Sequence, residues 1–495
     1  MSTTTKTALV LGLGASGLAC ARFLAHTGWA LRAADTRQAP PELVKLQAEL
    51  PTLEFHGGEL PVELLDGVSL VAISPGLSPA HSAAAPLVAA ARAAGIPVVG
   101  EIELFARELQ RLKNFRDYQP KLIGITGTNG KTTTTVIVGK MVEAAGRSVA
   151  VAGNIGPSAL EALRHHLRQN TLPEVWVLEL SSFQLETTAA LACTVATVLN
   201  ISDDHLDWHG SIEAYAATKA KIFAPGTIAV INRDDRRVAA MARSGAISFG
   251  FGEPRLADQY GVAIEGGINW LAWAEDLAPP TKRRKAAADL PGLSGEIYVH
   301  RFMPVDALKI RGRHNAMNAL AAIALVRAIG CPLAPVLNAL ADYRGEAHRV
   351  QFVAQVGGVD YVDDSKGTNV GATVAALDGL GGEGRSLVVI LGGEGKGQDF
   401  TPLAAPMSRH ARAAILIGKD ADAIAAALDG CLFPIERAAT LEAAVALAAS
   451  LAQPRDAVLL SPACASLDMF RHYAHRAEVF VDAVRELALE SGQPC

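Results

Sequence analysis

The chain has 495 residues, half of them apolar, 5% aromatic, and a formal net charge of −5. This length exceeds what one hydrophobic core usually organises, so we expect three globular domains, and the small net charge excludes a broad basic surface for nucleic acid or anionic membranes. Six scattered cysteines without a CxxC pair argue against a disulfide framework or zinc site, and with no export signal or membrane span they predict a soluble cytoplasmic protein.

The first predicted unit begins with an apolar run, a glycine-rich turn and a helix-like pattern, which indicate strand, turn and helix. Further strand-like runs alternate with helical segments, and this alternation predicts a parallel sheet with helices packed on it. The predicted strands are 7–11, 30–34 and 70–73, the turn is 12–17 and the helix is 18–26. A charged segment with a proline, residues 105–120, is predicted to be the linker that ends this unit.

The glycine turn reads GLGASG, a complete G-x-G-x-x-G, and Asp35 ends the next strand, 18 residues after Gly17. Taken alone, this pattern is typical of an NAD or FAD site. A glycine turn at a helix N-terminus serves the diphosphate of a UDP-sugar equally well. It also occurs where a helix merely packs closely on a strand. The turn by itself leaves all three interpretations open.

A second alternating series begins at Lys121, and its first strand leads into TGTNGKTTT. The strict phosphate-loop pattern needs glycine where Ile125 stands, so the textual match fails by one residue. Strand, tight turn and helix N-terminus still converge on an anion, with Lys131 near the terminal phosphates and Thr132 able to ligate Mg²⁺. The alternative is a glycine turn with a surface lysine. The predicted strands are 122–126, 148–152, 175–180, 195–201 and 228–232, with helices at 131–145 and 211–223.

Polar side chains follow two neighbouring strands of this series. Glu179 lies near the end of one apolar strand, and Asp203, Asp204 and His205 come directly after the next. Because ligands of open parallel sheets bind outside the carboxyl ends of the strands, we expect these groups beside the phosphate loop. Taken alone, each also fits an ordinary polar loop.

After Gly252 the pattern loosens, and residues 276–296 are interpreted as an exposed loop or insertion whose TKRRK run is a solvated patch. Helical periodicity returns at 315–330 and stops at Gly330. A third series of predicted strands then follows, near 359–362, 387–391, 414–417 and 457–460. The predicted organisation is three consecutive α/β units.

The motifs TGTNGKTTT, GNIG, ELSSFQLE, NISDDHLDWHG, GRHNAMNALAA and DDSKGTN, in this order, resemble the Mur ligase family, which extends peptidoglycan precursors by ATP-driven amide formation. A second phosphate site also has no use in hydride transfer. The resemblance implies an α/β fold of three domains, each built on a mainly parallel sheet. These are a Rossmann-like N-terminal domain at 1–110, a P-loop ATPase-like central domain at 111–346 with an insertion around 252–300, and a Rossmann-like C-terminal domain at 347–495.

The outer parts of the chain are similar to those members that add D-glutamate to UDP-N-acetylmuramoyl-L-alanine through an acyl phosphate, giving ADP and phosphate. The similarity is carried by ADTR, SPG, HRV, LGGEGKGQDF and SPACASLDMF. The carboxylates of D-glutamate give a physical reason for cationic and hydroxyl partners. The resemblance assigns D-glutamate to Lys366, Thr368, Lys396, Ser466, Leu467 and Tyr473.

The same resemblance implies contacts for the other two substrates. Asn315 and Asn318, spaced by three, share a helix face near the adenine. The residues implied for the UDP precursor are Ala15, Ser16, Asp35, Thr36, Ser74, Gly76, Asn154, Ser181, Gln184 and His205. The residues implied for ATP are Gly127, Thr128, Asn129, Gly130, Lys131, Thr132, Thr133, Asn315, Asn318, Arg349 and Asp364.

Catalysis by this family brings two anions together, so charge neutralisation and positioning are its main tasks. The resemblance implies two Mg²⁺ ions, held by Thr132, Glu179, His205 and by Lys219 as a carbamate, with Lys221 the weaker candidate for that modification. The implied catalytic residues are Lys131, Lys219, His205 and Asn154. A monomer acting on small molecules is expected.

Four alternatives remain. A sister ligase would share the central motifs and add a different amino acid, and folylpolyglutamate synthetase shares the ATP core without such a UDP-binding unit. A nucleotide-regulated binding protein would have no need of Lys131, Glu179 and Lys219 together. A dehydrogenase predicts tight NAD binding and no ATP hydrolysis.

Overall fold

The computed structural model describes residues 6–278, 297–310, 312–381 and 384–492. These residues form three sheets of five, nine and six strands. We call the parts of the chain built on them the first, middle and third units. Most of the loop predicted at 276–296, with its TKRRK patch, lies outside the described residues. No helix in the described part of the chain is long and apolar enough to cross a bilayer.

The first sheet is parallel throughout, as predicted, with strand order β3-β2-β1-β4-β5. Its central strand is buried on both faces because helices cover both sides. The strands are β1 Thr7–Leu11, β2 Ala30–Asp35, β3 Glu54–Gly57, β4 Val68–Ile73 and β5 Val98–Val99. The helices are α1 Ala15–His26, α2 Leu43–Glu49 and α3 Ala85–Ala93, with a 3₁₀ turn at Val62–Leu65.

The predicted linker at 105–120 is wrong over most of its length, because helix α4 runs from Glu101 to Arg116. Phe105 and Leu112 are buried on one face of this helix. Some of the charges that suggested an exposed linker form ion pairs along the helix, as between Glu108 and Arg111. The helical spacing of the apolar residues, which lets one face pack against a core, is therefore a better indicator of structure here than the high charge content.

Helix α4 joins the first unit firmly to the middle unit. Glu101 accepts a hydrogen bond of 2.8 Å from the N–H of Leu160. Glu103 accepts two of 2.7 Å from the N–H groups of Ala189 and Ala190. One apolar cluster also runs from the first sheet through α4 into the middle sheet. The two units consequently share a core.

The middle sheet has the strand order β14-β13-β12-β11-β10-β9-β6-β8-β7. The predicted strands correspond to β6–β10, each within a few residues of its predicted bounds. The strands are β6 Lys121–Thr126, β7 Val149–Gly153, β8 Val175–Glu179, β9 Val195–Val198, β10 Ile228–Asn232, β11 Ile247–Phe249, β12 Gln259–Glu265, β13 Ile268–Asp276 and β14 Ile297–Pro304.

Helices cover this sheet, and the helix predicted at 315–330 is present and stopped before Gly330, as expected. The helices are α5 Lys131–Ala144, α6 Ala159–Gln169, α7 Ser182–Glu186, α8 Leu206–His209, α9 Ile212–Ala220, α10 Arg236–Ala239, α11 Arg313–Ala328 and α12 Leu333–Asp342, with a 3₁₀ turn at Val305–Ala307.

Three strands that the sequence pattern did not predict, β12 to β14, follow Gly252. β13 pairs antiparallel with both of its neighbours. Gly266 and Gly267, with φ of +58° and +79°, form the two-residue turn between β12 and β13. Positive φ at both positions of such a turn matches the twist of a hairpin. The Gly266–Gly267 pair therefore predicts a hairpin, an indication that the sequence-based expectation of a loosened pattern overlooked.

The third sheet is parallel except for the β15–β16 pair, with strand order β15-β16-β20-β17-β18-β19. Its apolar clusters lie within this unit, and in the described ranges none crosses into the middle unit. The strands are β15 Gln351–Val356, β16 Val359–Asp363, β17 Leu387–Gly392, β18 Ala411–Ile417, β19 Ile435–Arg437 and β20 Ala457–Leu460. The helices are α13 Val370–Leu380, α14 Ala404–His410, α15 Ala421–Ala427, α16 Leu441–Leu451 and α17 Tyr473–Glu490, with a 3₁₀ turn at Thr401–Leu403.

Candidate active site

The glycine turn of the first unit requires glycine at two of its three glycine positions, Gly12 and Gly17. Gly12 has φ of +84°, and a Cβ on Gly17 would lie 1.9 Å from the carbonyl oxygen of Gly12. Asp35 accepts a 2.7 Å hydrogen bond from the N–H of Leu13 and is paired with Arg37. Burial acts to raise the pKa of Asp35, but the bonds from Arg37 and Leu13 outweigh it, so the pKa is lowered. Asp35 thus stays ionised and holds the turn in shape.

Most other residues predicted for the UDP precursor lie at the same edge of the first sheet. Ala15 and Ser16 begin α1, and Thr36 and Ser74 directly follow β2 and β4. Ser181 and Gln184 belong to the middle unit, where their side chains and backbone N–H groups form a capping box at the start of α7. Ser181 and Gln184 therefore have a local structural role, which is to cap α7.

The phosphate loop lies between β6 and α5, at the carboxyl edge of the middle sheet. A Cβ on Gly130, whose φ is +80°, would meet the side-chain oxygen of Asn318 at 2.4 Å. The N–H of Asn129 donates to the side chain of Asn200 at 2.8 Å. Ile125 is buried within β6, outside the turn, so glycine at that position is not needed for the loop to form. The failed textual match therefore has no structural consequence.

Two lysines from different elements converge on this loop. Lys131 Nζ donates to the carbonyl oxygens of Gly127 and Thr128 at 2.9 and 2.7 Å. Lys219 Nζ donates to the same Gly127 oxygen at 2.9 Å and lies 4.6 Å from the ring centre of Tyr215. Burial lowers the pKa of Lys131, and burial together with repulsion from Lys131 lowers the pKa of Lys219 well below its ordinary value. Lys219 consequently loses its ammonium proton more readily than an exposed lysine does.

Glu179 ends β8 and has one carboxylate oxygen without a partner. Its Oε1 accepts a 2.8 Å hydrogen bond from the side chain of Asn154, while the buried Oε2 has none. The Thr132 hydroxyl lines the same cavity. No cluster of three or more His, Cys, Asp or Glu is found in the described ranges. Mg²⁺ usually takes only one or two protein carboxylates and completes its shell with phosphates and water, so this donor set fits it.

His205 stands between β9 and α8 with φ of +54°. Its ring packs edge-on against Phe183 at 4.6 Å between centroids, and its Nε2 lies 3.5 Å from Asp204. Burial lowers the pKa of His205 to about 4, despite the opposing attraction of Asp204. A neutral imidazole of this kind can ligate a metal through its unprotonated nitrogen, but it is not charged and does not act as an imidazolium acid at neutral pH.

Two adjoining cavities meet at the phosphate loop, and both are lined by Asn129, Gly130, Arg349 and Lys366. One cavity, of about 410 Å³, also contains Lys131, Thr132, Asn154, Glu179, His205, Thr368 and Tyr473. The other, of about 340 Å³, also contains Thr133, His314, Asn315, Asn318 and Asp364. The structure therefore brings most of the predicted nucleotide residues together between the middle and third units.

The third unit contributes polar groups to both cavities. Lys366 Nζ lies 3.5 Å from the Thr132 hydroxyl and 5.3 Å from the centre of the Tyr473 ring. Burial lowers the pKa of Lys366 to about 8 and raises that of Asp364 to about 7. Lys396, Ser466 and Leu467 line neither cavity. The proposed D-glutamate residues thus fall into a cavity-lining group and a more distant one.

Sequence reasoning missed three residues of this region. Asn369 exchanges hydrogen bonds with Asn129, Asn200 holds the phosphate loop, and Tyr215 contacts both Thr128 and Lys219. Asn200 follows a strand directly, which was a usable signal. Nothing in the sequence places Asn369 against Asn129, which is 240 residues away.

Comparison with known proteins gives consistent matches over the chain. Family models match at residues 6–100 (Mur ligase MurD-like, N-terminal domain), 125–326 (Mur ligase middle domain) and 348–464 (Mur ligase, glutamate ligase domain). The UDP-N-acetylmuramoylalanine–D-glutamate ligase of Cupriavidus pinatubonensis is 58% identical over 98% of this chain and 97% of its own length. The enzyme of that name from Burkholderia mallei is 56% identical over the same shares.

Among solved structures, UDP-N-acetylmuramate-alanine ligase MurC from Thermotoga maritima matches with a TM-score of 0.55 and 19% identity. The match covers 97% of this chain and 99% of that one. At this identity the likeness supports the three-unit α/β fold.

Proposed function

The chain belongs to the Mur ligase family, and from that premise we propose that it is the ATP-dependent ligase that joins D-glutamate to UDP-N-acetylmuramoyl-L-alanine in peptidoglycan precursor synthesis. Relatives of that name at 56 and 58% identity support the choice of substrates. The observation that carries the activity is the cavity in which Lys131, Glu179 and Lys366 face one space between two units.

The reaction needs activation because a carboxylate is a poor acyl donor. Transfer of the γ-phosphoryl group of ATP to the alanyl carboxylate gives an acyl phosphate and ADP. The amino group of D-glutamate then attacks the acyl carbon, phosphate leaves, and the amine loses a proton as the amide forms. Both reactants of the first step are anionic, so the site must neutralise charge and align them.

The phosphate loop supplies that environment. Backbone N–H groups at the start of α5 would receive the phosphates, and Lys131, which donates to the loop carbonyls, would bind the γ-phosphate. Thr132 and Glu179 would hold Mg²⁺, which when bound screens the phosphate charges and orients them. Asn154, bonded to Glu179, is positioned to contact the γ-phosphate or the substrate carboxylate.

Lys219 is proposed to act as a carbamate that, with His205, positions a second Mg²⁺. Its burial and lowered pKa favour the neutral amine, which is the form that adds to CO₂ with release of one proton. The product is an anion beside Lys131, where a second ammonium would be repelled. Lys221 is exposed and paired with Glu186, so it is the weaker candidate.

The remaining assignments are part of the same proposal. Adenine occupies the cavity lined by Asn315 and Asn318, which hydrogen-bond to each other at 3.2 Å. D-glutamate meets Lys366, Thr368 and Tyr473, with Lys396, Ser466 and Leu467 more distant. The UDP precursor lies along the glycine turn of the first unit. We also propose domain boundaries near 110 and 346, a monomer and a cytoplasmic location.

The test supplies ATP, Mg²⁺ and UDP-N-acetylmuramoyl-L-alanine, and offers D-glutamate, L-glutamate, L-lysine and L-alanine in separate reactions. Phosphate release confined to D-glutamate is the expected result. Release with another acceptor instead would make the chain a sister ligase, and NAD binding in the first unit without ATP turnover would overturn the proposal.

A further inference from the structure

A groove remote from the phosphate loop has a lining that the ligase reaction does not use. It encloses about 920 Å³, more than either active-site cavity. The last turns of α1 and α6, the length of α4 and the amino ends of strands in the first sheet line it. It therefore lies where the first and middle units join.

The groove lies at the amino ends of the strands of the first sheet, whereas the residues predicted for the UDP precursor lie at the carboxyl ends. Trp29 lines the groove and directly precedes β2, whereas Asp35 ends β2 at the glycine turn. In a parallel sheet all amino ends lie at one edge and all carboxyl ends at the other. A molecule in this groove would consequently not compete with the UDP precursor.

The lining separates into an apolar floor and a cationic rim. Phe23, Trp29 and Leu104 belong to the floor. Six cationic side chains and one carboxylate line the groove, on a chain whose net charge is −5, and three of the six form ion pairs: Arg107 with Glu103, Arg111 with Glu108 and Arg164 with Glu161. Arg116 and Arg168, both exposed, have no carboxylate partner in the described ranges, as the ion pairs of that part of the chain involve other arginines.

Helix C-termini explain part of this pattern. Arg116 and Arg168 lie in the last turns of α4 and α6, where cations complement the helix dipole. That effect does not require a concave apolar floor beneath the arginines. A compact polyphosphate would leave this apolar floor uncovered, so the lining favours an occupant that carries apolar groups as well as negative charge.

We propose that this groove is a docking site for an acidic segment of a partner protein. Carboxylates of the segment meet the arginine rim, where planar guanidinium groups bind carboxylates in pairs of hydrogen bonds. An apolar side chain of the segment enters the floor between Phe23 and Trp29. The charge contrast between the groove and the chain as a whole selects an anionic partner.

The experiment measures binding of short fluorescein-labelled peptides to the full chain by fluorescence polarisation at physiological salt. One peptide alternates glutamate with leucine and phenylalanine, and another alternates glutamate with serine. The first should bind and the second should bind much more weakly. The double variant Arg116→Glu/Arg168→Glu should weaken binding of the first peptide about tenfold or more, because two charge-assisted contacts become repulsive.

Lys113→Glu/Lys140→Glu is the matched control, since it changes the net charge equally, Lys113 lies in the same last turn of α4, and both lysines are exposed and outside the groove lining. It should change binding by less than about twofold, as expected of a screened surface charge. Ligase turnover should be unchanged in both variants. Hydrogen exchange should slow at residues 23–29 and 104–116 when the first peptide is bound.

Three results would overturn the proposal. If the control variant weakened peptide binding equally, the effect would come from net charge alone. If both peptides bound equally well, the apolar floor would not contribute to binding. Binding of phosphatidylglycerol vesicles with the same dependence on Arg116 and Arg168, without peptide binding, would make the groove a membrane contact instead.

Discussion

Asn129 of the phosphate loop and Asn369 of the third unit exchange two hydrogen bonds of 3.1 Å through their side-chain amides. Asn369 also caps α13 by accepting from the N–H of Ala372 and approaches Asp204 at 3.4 Å. One residue thus links the start of a helix in the third unit to the loop that holds the phosphates. We therefore expect the function of the phosphate loop to depend on this contact with the third unit.

Asn369→Ser should lower kcat/KM for ATP about tenfold, because serine retains the helix cap but loses the paired amide bonds, worth about 1 kcal/mol each. Thr440→Ala is the control, since it removes the cap of α16 far from the site and should reduce stability without changing kcat/KM. Steady-state kinetics and thermal unfolding of both variants make the comparison. Unchanged kinetics in Asn369→Ser would refute the coupling.

Lys131→Ala should lower turnover by about three orders of magnitude, because the charge that meets the γ-phosphate is lost in a water-excluded site. Binding of the UDP precursor, measured by equilibrium dialysis, should be retained. Lys140→Ala, an exposed position later in α5, should match the parent in both assays. Loss of folding in Lys131→Ala alone would show that Lys131 has a structural role.

Lys219→Ala should abolish turnover, while Lys221→Ala should retain most of it because Lys221 forms only a surface ion pair with Glu186. Protein equilibrated with ¹³C-bicarbonate should give a carbamate resonance in the ¹³C NMR spectrum of the parent and of Lys221→Ala. A carbamate signal that persists in Lys219→Ala would place the modification elsewhere.

Glu101→Gln should make the protein less sensitive to rising pH. Burial raises the pKa of Glu101 from 4.5 to about 7, so its contribution to stability is complete below pH 4.5 and is lost as the pH rises through about 7. The parent should lose on the order of 3 kcal/mol relative to the variant between those values. Urea unfolding across this range measures the difference.

Glu103→Gln is the matched comparison for the same experiment. Burial acts to raise the pKa of Glu103, but the N–H groups of Ala190 and Ala189 and the Arg107 side chain outweigh it and lower the pKa. Its contribution to stability is therefore present above pH 4.5 and is lost as the pH falls through the lowered pKa. The variant should be the less stable protein at pH 7, and its deficit should shrink in acid.

Gly17→Ala should destabilise the protein by about 2 to 3 kcal/mol, because the new methyl group would overlap the carbonyl oxygen of Gly12. Gly14→Ser is the control within the same turn. A Cβ at Gly14 meets nothing within 4 Å, and serine is a favourable residue at the helix N-cap that Gly14 occupies. Equal destabilisation by the two substitutions would contradict the packing argument.

The parts of the fold that the sequence predicted well are those with local signals. The phosphate loop directly follows β6, Glu179 ends β8 and His205 lies in the loop after β9, and parallel topology then brings these strand ends to one edge. The convergence of Lys131 and Lys219 on the carbonyl of Gly127 depends on the packing of α9 against the loop, which no local pattern encodes. The resemblance to a known family, more than periodicity, pointed to Lys219.

Errors arose where composition opposed periodicity. The charges of α4 suggested a linker although Phe105 and Leu112 lie on one helical face. The strands β12 to β14 were missed because glycines and charged residues interrupt their alternation, although Gly266 and Gly267 mark a hairpin. In both cases long-range packing decided the structure.

The two junctions between units differ in chemistry. The first and middle units share an apolar core around α4, whereas Asn129 and Asn369 join the middle and third units through hydrogen bonds. Cutting the chain before residue 101 would expose apolar surface on both fragments, so the first two units are best handled as one piece in protein engineering. The apolar clusters of the third unit contain only residues of that unit in the described ranges. A graft that replaces the third unit with that of a relative would have to rebuild the hydrogen bonds of Asn129 with Asn369 and the contact of α11 with α13, but no apolar cluster shared between the units in the described ranges.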